Sequence, residues 1–102
     1  MLLNVKCTLT SNGNQVFIFT CKKEVDPNNR IDIDFILDEV LEDIGELAIH
    51  YPKEGCFATI EMRLDDDGKP IETGVFLKDF EAQKIRIKGI FLDGLYGVQN
   101  ER

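Results

Sequence analysis

Ile31-Asp32-Ile33-Asp34-Phe35-Ile36-Leu37-Asp38-Glu39-Val40-Leu41-Glu42-Asp43-Ile44-Gly45-Glu46-Leu47-Ala48, with Pro52 beyond it, is the stretch on which the fold turns. Ile33, Ile36, Leu37, Val40, Leu41, Ile44, Leu47 and Ala48 recur at three- and four-residue intervals, which puts them on one face of a helix. Asp32 or Asp34 is expected to cap its start, where acids suit the positive end of the helix dipole. Pro52 stops it, because proline disfavours helix in the residue before it and has no amide to donate.

The same stretch holds the charge of the chain. Between Ile31 and Pro52 stand seven acids and no Lys or Arg, while the other twelve acids are matched by twelve bases, so the formal −7 belongs to this helix. At 100° per residue Asp38, Glu39, Glu42, Asp43 and Glu46 cover the side opposite the apolar arc. Five like-charge pairs at three- and four-residue spacing each cost about 0.2–0.5 kcal/mol. Burying eight apolar side chains at roughly 1.5–3 kcal/mol each outweighs that. The helix therefore forms, with an acidic face that nothing in the sequence compensates. Such a face is either a solvated surface or a docking surface for a basic protein, a nucleic-acid mimic in its spacing of negative charge. Gly45 beside it weakens the helix but permits close approach of another backbone.

Hairpins flank the helix. Asn12-Gly13 supplies two residues tolerant of positive φ, the requirement of a two-residue turn. Built about it, Leu9 pairs with Val16, Cys7 with Ile18 and Val5 with Thr20 on the core face, leaving Phe17, Phe19 and Cys21 on the other. Asp67-Gly68 predicts a second hairpin, with Leu64 opposite Ile71, Met62 opposite Thr73, Ile60 opposite Val75 and Arg63 opposite Glu72. Alternation through Lys84-Ile85-Arg86-Ile87-Lys88 predicts a fifth strand, broken by a bulge at Gly89. The tail from Asp93 to Arg102 has no clear period. The expectation is one α+β domain over residues 1–102, an antiparallel five-stranded sheet with one amphipathic helix on one face, in the order ββαβββ.

In these registers Phe17, Phe19, Phe57 and Phe76 share the sheet face away from the helix, among Lys and Arg side chains. Four phenylalanines exposed together point to a dimer or second partner contact, or to cover by the C-terminal tail. Aromatics among bases also suit stacking of single-stranded nucleic acid, against which the overall negative charge argues.

Chemistry is sparse. His50 is the only histidine, and Cys56 six residues on makes the one nucleophile–base pair to consider, with no third orienting group. Asp65-Asp66-Asp67-Gly68 lacks the calcium-loop pattern, since Arg63 and Gly74 stand where that pattern needs acids. Three cysteines without CxxC spacing suit unpaired thiols in a reducing, cytoplasmic setting. No apolar run reaches a membrane span, and the start of the chain lacks signal-peptide order. No catalytic residue, metal or cofactor is expected. The chain reads as a non-enzymatic protein-binding module, most concretely an acidic inhibitor, an immunity- or phage-type antagonist of a basic nuclease or nucleic-acid-binding protein. The alternative is a homo-oligomeric structural or regulatory domain associating through the phenylalanine face.

Overall fold

A computed structural model describes residues 1–65 and 68–96. Strands β1 (Leu2–Ser11) and β2 (Asn14–Glu24) lead into helix α1 (Arg30–Ala48). Strands β3 (Cys56–Leu64) and β4 (Ile71–Phe76) follow, and a 3-10 turn at Leu77–Asp79 opens helix α2 (Phe80–Tyr96). Among the described residues the sheet has four strands in the order β2-β1-β3-β4, every neighbouring pair antiparallel. The α+β class and the antiparallel sheet follow the expectation; the fifth strand does not.

Lys84-Ile85-Arg86-Ile87-Lys88 lies inside α2. Five alternating residues fit a helix as well as a strand, and of the two isoleucines only Ile87 is buried. Phe80, Ile87, Phe91 and Leu92 form the inward side of α2. The physical reason for a second helix is width. Four strands about 4.8 Å apart present an apolar face nearly twice as wide as one helix of about 10 Å covers. Alpha-1 lies against Phe19, Cys7 and Leu9 through Ile44 and Leu47. Helix α2 presses on β4, where a Cβ on Gly94 would stand 2.7 Å from Ile71. Gly89 is a helix residue with open space around it and makes no bulge.

The first turn forms as expected, with φ +51° at Asn12 and +87° at Gly13. Its register differs. A bulge after Leu9 takes up one extra residue of β2, so Leu9 pairs with Phe17, Cys7 with Phe19 and Val5 with Cys21. A one-residue slip exchanges the two faces of a strand. Phe17, Phe19 and Cys21 thus pack against the core, and Val16 and Ile18 stand exposed. Two phenylalanines bury more apolar area than Val16 and Ile18 can, and Phe17 gains a ring contact with Tyr51, centroids 5.8 Å apart.

In the second hairpin Met62 pairs with Ile71, Ile60 with Thr73, Ala58 with Val75 and Phe57 with Phe76. This is two residues from the expected register, and an even shift keeps each side chain on its expected face. The shift coincides with the end of β3 before Asp65. At φ +61° that residue leaves the strand, and its N–H donates to the Leu2 carbonyl at 2.8 Å. Arg63 therefore does not face Glu72; Glu61 does. Asp66, Asp67 and residues 97–102, with the expected two-residue turn and most of the tail, lie outside the described residues.

Helix α1 buries Ile33, Leu37, Val40, Leu41, Ile44 and Ala48, with Ile36 and Leu47 half-buried, so the predicted apolar arc is the inward face. Its cap is Asn29, whose side-chain oxygen accepts from the Asp32 N–H at 3.1 Å. Asp32 sits in the first turn instead and accepts from the Asp26 N–H. The core is one layer between the sheet and the two helices, and its buried side chains are all apolar among the described residues.

Candidate protein-binding surface

Helices α1 and α2 run antiparallel: Arg30 lies over the Tyr96 ring at 5.0 Å, and Gly45 sits against Phe80 and Glu81. A Cβ on Gly45 would stand 3.3 Å from each of those two side chains. The close approach that Gly45 permits is therefore made by the chain's own second helix.

That second helix also answers part of the acidic face. Lys88 Nζ lies 2.8 Å from Asp34 and 2.9 Å from Asp38. From the other side, Lys23 of β2 reaches Glu39 at 3.1 Å and Asp43 at 3.9 Å. Donating hydrogen bonds to Glu39, and to Asp34 and Asp38, pushes the Lys23 and Lys88 ammonium groups above the usual lysine value. Of the five predicted site residues, Asp38, Glu39 and Asp43 are thus shared with lysines of the same molecule. Glu42 and Glu46 are exposed and in no ion pair among the described residues. The structure brings the five together on one helix but does not leave them uncompensated.

The outward ridge of α1 holds something the sequence reading missed. Ile31 is 74% exposed and Phe35 72%, and Ile49 at the C-cap is 71% exposed. At 100° per residue all three fall within about 40° of Glu42. The ridge therefore runs apolar, acidic, apolar. Next to its first end an open depression is lined by Arg30, Ile31, Asp34, Phe35 and Asp38. The signal was present in the sequence: Ile31 and Phe35 are four apart and lie off the buried arc.

The expected four-phenylalanine face does not exist. Phe17 and Phe19 are on the core side, and Phe57 and Phe76 alone share the uncovered side, edge-to-face with centroids 5.0 Å apart. Gly74 makes room for this, since a Cβ there would overlap the Phe57 ring.

The chemical candidates do not assemble. Cys56 is fully buried while His50 is exposed at the end of α1, its N–H donating to the Leu47 carbonyl. Asp65 accepts from the Leu2 N–H, and no group of three or more metal-binding side chains occurs among the described residues. The three thiols are free, and burial pushes Cys7 up to about 11, far from a reactive thiolate. Among the described residues no helix is long and apolar enough to cross a membrane. No family model, curated protein or solved structure matches the chain.

Proposed function

We propose that this protein is a non-enzymatic binding module that presents the outward ridge of α1 to a basic protein, most concretely as an antagonist of a nucleic-acid-handling one. The observation that carries the reading is the ridge itself, three large apolar side chains left open around two glutamates unpaired among the described residues. Burying Ile31, Phe35 and Ile49 yields about 1.5–3 kcal/mol each before the costs of association. Exposed charge pairs contribute about 0–1 kcal/mol each. Apolar contact therefore supplies the affinity, while Glu42 and Glu46 favour a cationic rim and speed encounter. Because Lys23 and Lys88 occupy three of the carboxylates, recognition rests on this mixed surface more than on a bare array of negative charge. An amphipathic ridge entering an apolar groove is a common mode of recognition.

The test is capture from a host lysate with wild type and with a variant carrying Phe35→Ser, Glu42→Lys and Glu46→Lys. Basic nucleic-acid-handling proteins should be enriched by wild type, lost with the variant and weakened at high salt. The same captured proteins in both cases would remove the reading.

A further inference from the structure

We propose that the sheet face turned away from the helices pairs two copies of this chain about a two-fold axis parallel to the strands. This surface lies on the opposite side of the molecule from the α1 ridge, and the inference does not depend on the reading of that ridge.

The register sets out the face in rows. Ile18, Thr8, Thr59 and Gly74 form one row across the four strands, and Thr20, Lys6, Glu61 and Glu72 form the next. At one end Gln15, Thr10, Phe57 and Phe76 make a third row, with Val16 of the bulge beside Gln15. Val16, Ile18 and Phe76 are 44%, 42% and 52% exposed, a set of large apolar side chains with no cover among the described residues. Charge is the second feature. Glu61 and Glu72 are directly opposite each other, a like-charge pair that costs stability. Glu61 takes a hydrogen bond from Arg63, while Lys6, its neighbour on β1, is exposed and in no ion pair among the described residues.

A two-fold axis along the strands lays β2 of one copy over β4 of the other, and β1 over β3. Every row then meets itself reversed. Lys6 of each copy comes over Glu61 of the other, Thr8 over Thr59, and Ile18 over the Phe57 ring that covers Gly74. Phe76 of each copy comes over Gln15 and the neighbouring Val16 of the other, Phe57 over Thr10, and the second copy's lysine relieves the Glu61–Glu72 repulsion. The perpendicular in-plane axis instead lays Phe57 and Phe76 on the charged end. Complementarity under one axis and not the other selects a second copy as the occupant. The strands of the two sheets would cross at about 30°, as twisted sheets stacked face to face do. Strands β1, β2 and β3, of nine to eleven residues, and β4, of six, give a face of at most about 20 Å by 30 Å. That approaches the roughly 800 Å² per partner of standard interfaces, so a reversible dimer is expected.

Sedimentation of the whole chain over about 1 µM to about 1 mM tests this. The wild-type mass should rise toward twice that of the monomer, and Ile18→Asp or Phe76→Asp should weaken association at least about tenfold. Lys6→Glu and Glu61→Lys should each weaken it alone, because each places like charges across the axis twice. An equimolar mixture of those two variants should recover the dimer, because both contacts are then of opposite sign. Circular dichroism checks that each variant is folded, and Ile18→Thr replaces any aspartate variant that is not. A monomer at every concentration overturns the proposal, as does a dimer indifferent to Phe76→Asp. Two folded charge variants that do not recover on mixing overturn the axis. Phe35→Ser, on the α1 ridge, should leave the dimer unchanged, which separates failure here from failure of the ridge reading.

Discussion

Lys88 Nζ on α2 lies 2.9 Å from Oδ1 of Asp38 on α1, fifty residues earlier in the chain. This contact, with its twin to Asp34, ties the two helices together and sets how much negative charge α1 can offer outward. Lys88→Met should therefore do two opposite things. It should lower stability by about 1 kcal/mol, the upper range for exposed pairs, seen as a lower urea midpoint. It should also raise the rate of association with a basic partner.

The same contact gives stability a pH dependence with a definite sign. Carboxylate hydrogen bonds raise the Lys23 and Lys88 values above the ordinary 10.5 in the folded state. The stabilisation is thus complete below pH 10.5 and is lost as pH rises through the raised values. Urea melts of wild type and Lys88→Met should differ at pH 8 and converge in strongly alkaline solution.

The bulge makes a prediction about neighbours in sequence. Phe19→Ala should cost about 2–3 kcal/mol, because that ring packs between β1 and α1, whereas Ile18→Ala should change the monomer by under about 0.5 kcal/mol. Thermal or urea unfolding distinguishes them, and the reverse order would restore the register without a bulge.

The thiols should report burial one by one. Cys7 and Cys56 are 2% and 0% exposed, and Cys21 is half-buried. Near pH 8 a thiol reagent should modify Cys21 first and slowly, since burial raises its pKa too, and the other two only on unfolding. Mass spectrometry of the modified peptides checks the order.

Much of the fold was legible where a pattern ran long enough to exclude its rival. Nineteen residues of α1 gave its inward face, and Asn12-Gly13 gave the first turn. Five residues at Lys84–Lys88 are too few to tell period 2 from period 3.6, so their alternation suggests a strand where the chain forms a helix. The bulge at Val16 was invisible because the turn residues fit either register, and the choice is made by how well Phe17 and Phe19 fill the space under α1. The acidic residues of the ridge were legible, but their lysines come from β2 and α2, and a pairing over such distances has no local signature. Ile31 and Phe35 were overlooked although the helical spacing placed them outward.

Hydrogen exchange of the protein alone and in complex with a captured basic protein tests the central claim most directly. Added protection should fall on residues 30–49, strongest around Phe35 and Glu42, and should leave β3 and β4 unchanged by the partner. Protection confined to the sheet strands, with α1 exchanging as in the free protein, would contradict the account.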